Sequence, residues 1–224
     1  MKKNKVDWNL GYRAILLLLD LVILILFRPL VTGKEHIPKK GAAVIAVNHK
    51  HAFDPILPLF TTMRVIRFMA KKEVTDSAFS WLFKVMRCIR VDRDAHDGKA
   101  MQEAIDCLRA GYLVGIFPEG TRNRTHDLEI QPLHLGAVAM ARQTGAPVIP
   151  AVITGSYAPW NRDLMLSLGE PILIPPEMDI NEANALLKSR MKQQWHDNLA
   201  LTGRSEKKEL NSRKLKKNDR MKTG

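Results

Sequence analysis

Ala42-Ala43-Val44-Ile45-Ala46-Val47-Asn48-His49-Lys50-His51-Ala52-Phe53-Asp54-Pro55 is an apolar run that opens directly into a polar loop. Ala42 to Val47 follows Pro38 and Gly41 and carries no polar side chain, the pattern of a short strand buried on both faces. In open parallel α/β sheets, ligands gather outside the carboxyl ends of the strands. His49 and Asp54 therefore stand where a substrate can reach them.

Positions five apart on a continuous helix differ by about 140° and point away from each other. His49 and Asp54 can meet only across a turn. If they do, the aspartate holds one imidazole nitrogen as a donor and leaves the other as a base, an arrangement that activates hydroxyl nucleophiles. The plainer reading of the same residues is a capping Asn48 or Asp54 beside a surface histidine.

Three further blocks follow in order: Val91-Asp92-Arg93, then Phe117-Pro118-Glu119-Gly120-Thr121-Arg122, then Val148-Ile149-Pro150-Ala151-Val152 with Gly155. With these blocks the sequence resembles the glycerolipid acyltransferase family, which includes the 1-acylglycerol-3-phosphate (lysophosphatidic acid) acyltransferases, over roughly Gly33 to Pro175. The resemblance implies that His49 and Asp54 are catalytic and that Arg93, matching the family's arginine, binds the substrate phosphate. Gly120 permits close backbone approach, Thr121 offers a hydroxyl, and Arg122 with Arg124 supplies positive charge suited to a phosphate monoester. Glu119 is the odd member of its block, because a carboxylate repels phosphate; orienting an arginine or accepting a hydrogen bond from a glycerol hydroxyl are the tasks open to it. The chain departs from the family pattern at three places. His51 stands where a serine is common, Arg87 where a glycine is usual, and His134-Leu135-Gly136 replaces a Lys-x-Gly. His51 is accordingly a second candidate phosphate ligand.

The 224 residues, 46% of them hydrophobic, suit one domain with a sizeable core. The formal charge of +12 is concentrated at the ends. Residues 1–13 carry a net +3 and residues 204–224 a net +6, which points to an anionic surface, membrane lipid or nucleic acid. The aromatic-basic interleaving that stacks nucleotide bases is missing, so nucleic acid is disfavoured. Cys88 and Cys107 form no CxxC pair and read as packing residues in a reducing compartment. The histidines lack ligand spacing with carboxylates or cysteines, so neither metal nor cofactor is implied.

Ala14 to Phe27 is the most apolar stretch, interrupted by Asp20 and bracketed by Arg13 and Arg28. As a helix it spans about 21 Å against a hydrocarbon core of about 30 Å. It reads as a helix embedded in, or lying along, the inner leaflet, with Trp8 and Tyr12 at headgroup level. A lengthened true span and a buried core helix are the other readings. Strands are expected at Val65 to Ala70, Cys88 to Val91, Leu113 to Phe117, Val148 to Ile153 and Pro171 to Pro175. A helix start is expected over Ile56 to Met63, and helices over Ser77 to Met86, over Gly98 to Arg109, over His134 to Thr144 and over Asn181 to Leu201. Lys72 falls near a strand end, where it either attracts phosphate or occupies a solvated turn. Trp160, Leu164, Met165 and Leu166 form an apolar cluster that either lines an acyl channel or fills core, and core filling is the preferred reading.

This alternation predicts an α/β domain with a largely parallel sheet wrapped by helices, preceded by a membrane-associated helix. The divisions are an anchor over 1–32, the acyltransferase domain over 33–203 and a basic tail over 204–224, which lacks the apolar content to fold alone. The resemblance implies acyl transfer from acyl-CoA or acyl-carrier protein to lysophosphatidic acid, or to another acceptor such as glycerol-3-phosphate or another lysolipid, at the cytoplasmic face of the cell membrane. A non-catalytic binder of anionic membranes is the rival from another class.

Overall fold

The computed structural model describes residues 17, 21–76, 80–92, 98–124, 129–160 and 163–202. Among these, seven strands join one sheet: β1 Leu30–Thr32, β2 Ala43–Val47, β3 Ile66–Lys71, β4 Ile89–Val91, β5 Leu113–Ile116, β6 Val148–Thr154 and β7 Met165–Leu168. Their spatial order is β1-β7-β6-β2-β5-β3-β4. The five strands from β6 to β4 are parallel; β7 runs antiparallel to β6, and β1 parallel to β7. The sheet is thus mixed but mostly parallel.

β2 lies at the centre and every one of its residues is buried. Side chains alternate across a strand, so its two faces feed two cores. Val44 and Ala46 join Val114, Val148 and Val152 under the helices α4 (Lys99–Arg109), α5 (Gly136–Thr144) and α6 (Ile180–Leu201). Ala43, Ile45 and Val47 join Leu113, Ile149 and Ile153 on the opposite face, closed by Leu57, Leu59, Ile23 and Phe27. On α6, Leu187, Met191, Trp195 and Leu199 are all buried, as their spacing of four predicts, and Asp179 caps the helix by accepting from the Asn181 and Glu182 amides. Each such large apolar side chain contributes about 1.5–3 kcal/mol on burial.

Several expectations are corrected. Pro171 to Pro175 is not a strand: Ile172 alone bridges back to Val148, because two prolines that cannot donate bracket three residues. β1 is only three residues long, too short to show a period. β7 is buried at all four positions and so shows no alternation to read. Leu164, Met165 and Leu166 are core, as expected, whereas Trp160 is 70% exposed. The helix expected over Ile56 to Met63 is a 3-10 turn, Leu57–Thr61, with Pro58 in its second position. The Ser77 to Met86 helix is described from Ser80, with α2 (Lys72–Thr75) before it and Ser80–Val85 as α3.

At the amino end, residues 21–26 are helical (α1). Ile23 and Phe27, one turn apart, enter the core, while Leu21, Val22, Leu24 and Ile25 are exposed. Among the described residues, no helix is long and apolar enough to cross a membrane. Most of the expected anchor, and the tail from residue 204, lie outside the described residues.

Candidate active site

Because β2 runs between β5 and β6 in parallel, three strand ends open side by side. Val47 leads to Asn48-His49, Ile116 to Phe117-Pro118-Glu119, and Thr154 to Gly155-Ser156-Tyr157. Gly155 takes φ +79°, and a β-carbon there would collide with the Asp163 carbonyl, so this exit requires glycine.

The first residue past β2 prolongs the sheet with its side chain. Asn48 Nδ2 donates to the Ile153 carbonyl at 3.0 Å, and the Ile153 amide donates to Asn48 Oδ1 at 2.7 Å. The chain can then leave the sheet without orphaning the buried Ile153 backbone. Beyond it, residues 51–56 turn back, and the Asp54 carboxylate reaches His49: Nδ1 lies 3.0 Å from Oδ2. The same oxygen accepts the Lys50 amide at 2.5 Å and the His51 amide at 2.6 Å. The Tyr157 hydroxyl donates to Oδ1 at 2.9 Å. Asp54 is fully buried, and His49 keeps 19% of its side chain open to solvent. The predicted meeting across a turn is therefore observed. A buried carboxylate holding Nδ1–H leaves Nε2 as the acceptor nitrogen.

The other face of His49 is set by the loop after β5. Its ring stacks on Phe117 at 4.2 Å, and Phe117 stacks in turn on Phe68 at 5.5 Å. The His49 amide donates to Glu119 Oε1 at 3.0 Å, and the Asn123 amide donates to the His49 carbonyl at 2.6 Å. Glu119 thus holds the histidine backbone, a partner not among those expected for it. Burial pushes its carboxyl up to about 7, the bonds from the His49 and Gln131 amides act against that, and the charge of Asp54 adds to it. Its Oε2 is buried with no hydrogen-bond partner among the described residues.

The basic residues stand further out. Thr121, Arg122 and Arg124 are exposed, and the two arginines flank Asn123, which is tied to His49. Gly120 turns this loop at φ +69°. Lys72 ends its reach on Asp92, 3.0 Å away, and Arg93 lies outside the described residues. His51 contributes its amide to Asp54, while its ring stacks on Tyr157 at 4.6 Å. Arg87 adopts φ +52°, so the turn that usually carries a glycine keeps a left-handed residue here. Asn123 and Tyr157 escaped the sequence reading, and Asn48 entered it only as a cap. The cue was available in the parallel order of the strands, which gathers the residues that follow them.

Fold and site together define an α/β protein with a fixed imidazole–carboxylate pair at the carboxyl edge of its sheet. The chain belongs to the acyltransferase family, whose model, described as Acyltransferase, matches residues 28–154. It is 32% identical over 148 residues to the 1-acyl-sn-glycerol-3-phosphate acyltransferase of Borreliella burgdorferi, covering 65% of this chain and 58% of that protein. With the protein of the same name from Bacillus subtilis it shares 35% identity over 150 residues, 63% of this chain and 72% of the relative. The chain therefore spans between about half and three quarters of the length of these curated relatives. A crystal structure of the 1-acyl-sn-glycerophosphate (LPA) acyltransferase PlsC from Thermotoga maritima shares the fold, with a TM-score of 0.68 at 24% identity over 90% of this chain and 85% of that one.

Proposed function

We propose that this chain transfers a fatty acyl group from an acyl thioester, carried by CoA or acyl-carrier protein, to the free hydroxyl of lysophosphatidic acid, giving phosphatidic acid. The observation that carries the reading is the 3.0 Å contact of His49 Nδ1 with the buried Asp54 carboxylate, in a chain whose relatives bear that activity's name. His49 Nε2 takes the proton from the acceptor hydroxyl as its oxygen bonds to the thioester carbon. The carbon–sulfur bond breaks, and the departing thiolate receives the proton from the imidazolium. The acyl group passes directly to the acceptor, with no acyl-enzyme. Arg93, Arg122 and Arg124, with Gly120 and Thr121, hold the acceptor phosphate, with Lys72 and His51 as further ligands at its margin, so that binding aims the hydroxyl at His49.

Residues 1–32 serve as the membrane anchor, 33–203 as the catalytic domain and 204–224 as a basic tail. The exposed apolar side chains of Leu17, Leu21, Val22, Leu24, Ile25 and Trp160 support docking on lipid, and the basic ends support the anionic cytoplasmic face. The test is turnover by the purified chain in detergent, with CoA and carrier-protein donors and a panel of lysophosphatidic acid, glycerol-3-phosphate and other lysolipids. Lysophosphatidic acid should be the best acceptor, His49→Ala should abolish transfer and His51→Ala should leave a measurable rate. Salt-sensitive lipid binding without turnover, or full activity in His49→Ala, overturns the proposal.

A further inference from the structure

Asp54 is bonded asymmetrically. Oδ2 takes three donors, all from the short loop that begins at His49, and among the described residues Oδ1 takes one, the Tyr157 hydroxyl, from a loop 103 residues further along the chain. The terminal torsion of an aspartate is broad, so three donors converging on one oxygen fix that oxygen but leave the carboxylate plane free to swing about it. A donor on the second oxygen removes this freedom.

The phenol that supplies it is itself held. Its ring stacks on His51 at 4.6 Å with the planes nearly parallel, and Phe27 at 5.7 Å and Phe53 at 5.9 Å meet it edge to face. Burial, and then the nearby Asp54 charge, raise the phenol above its ordinary titration range, so it remains a proton donor. Tyr157 also lies beyond residues 28–154, the span that the family model matches.

We infer that Tyr157 is a positioning residue: its hydroxyl fixes the carboxylate plane of Asp54, and through it keeps the proton of His49 on Nδ1 and the acceptor lone pair on Nε2. The inference rests on His49 and Asp54 being the proton-transfer pair. Tyr157→Phe removes one oxygen and retains the packed ring. In the full chain, assayed with acyl-CoA and lysophosphatidic acid in detergent, it should lower kcat about tenfold while both KM values stay within twofold. In an Asp54→Asn background the same change should cost less than twofold, because the group it positions has gone. An equal loss in both backgrounds assigns Tyr157 to general packing and overturns the inference, as does a native kcat in Tyr157→Phe. A second readout needs no turnover. In protein labelled with nitrogen-15 at histidine, His49 should be a single Nδ1–H tautomer in the native chain and a mixture of tautomers in Tyr157→Phe, with the Phe27→Leu variant as a packing control. An unchanged tautomer in Tyr157→Phe overturns the inference. A native rate in Asp54→Asn alone strikes the underlying pair instead, independently of Tyr157.

Discussion

Replacing Asn48 by alanine tests whether the strand-to-loop junction is built by a side chain. Asn48 is 2% exposed and its amide satisfies both backbone groups of Ile153, which is itself buried. The last backbone register pair between β2 and β6 is Val47 with Ala151, so among the described residues no strand meets Ile153 on that side once the amide is gone. Alanine leaves a buried N–H and a buried C=O unpaired, at about 1–3 kcal/mol each, and a net loss of about 2–4 kcal/mol allows for partial relaxation. For a domain of this size, each kcal/mol moves the melting temperature by about 2–4 °C, which gives a fall of about 5–15 °C. Asn48→Asp should be no milder: it keeps an acceptor for the Ile153 amide, but turns the donor into a second carboxylate oxygen against the Ile153 carbonyl, deep in the same site as Asp54. Calorimetric melting of the three proteins, with acyl transfer measured in parallel because His49 is the next residue, decides the matter. An alanine variant that melts within about 1 °C of the native chain and turns over at the native rate refutes the clamp.

The remaining predictions concern the surroundings of the pair. In Gly115→Ala the new β-carbon would lie 2.5–2.8 Å from Phe68 ring atoms, and Phe68 backs Phe117, which backs His49; the variant should lose about 1–3 kcal/mol in urea unfolding and should also lose activity, with stability recovered by a second change, Phe68→Leu. Glu119 is raised from 4.5 to about 7, so between those values the unfolded chain releases its proton while the folded chain keeps it; stability contributed below pH 4.5 should fall by about 3 kcal/mol on reaching pH 7 and stay level above. Glu119→Gln lacks that slope, so the stability difference between the two proteins should change by that amount from pH 4.5 to 8, and parallel pH curves would contradict the assignment. Arg87→Gly relieves a left-handed residue at φ +52°, and should raise unfolding stability by about 0.5–1 kcal/mol once the greater freedom of unfolded glycine is counted.

What the sequence disclosed followed the range of the signal. β2, β5 and β6 are unbroken apolar runs, and α4 and α6 repeat at helical spacing, so each announces itself within about a dozen residues. His49 and Asp54 are five apart, and their meeting could be argued from the turn alone. Asn48 finds Ile153 across 105 residues, Tyr157 finds Asp54 across 103, and Glu119 finds His49 across 70. Such pairs become visible only when the order β5-β2-β6 is known, because it is this order that makes loops distant in sequence into neighbours. The His49 partner of Glu119 is hidden from the sequence for the same reason. Within its own block Glu119 is a carboxylate beside candidate phosphate ligands, whereas in the fold it also accepts a backbone amide from the adjacent strand exit.

The order also explains how two buried carboxylates coexist beside one imidazole. Among the described residues Asp54 is met by four donors, drawn from its own loop and from the loop after β6, which is what a buried anion requires. Glu119 arrives from the opposite side, on the loop after β5, with one oxygen on the His49 amide and the other without a partner among the described residues. Glu119 is raised to about 7 by burial and bonds the histidine backbone, whereas the imidazole Nδ1 is bonded to Asp54. The exit of the central strand is therefore held from both neighbours, by the Tyr157 hydroxyl on the Asp54 carboxylate from one side and by the Glu119 carboxyl on the His49 main chain from the other. Shifting either neighbour by one residue would turn every side chain of that strand to the other face and uncouple that grip. The geometry at His49 is thus fixed by the same parallel register that closes the hydrophobic core beneath it.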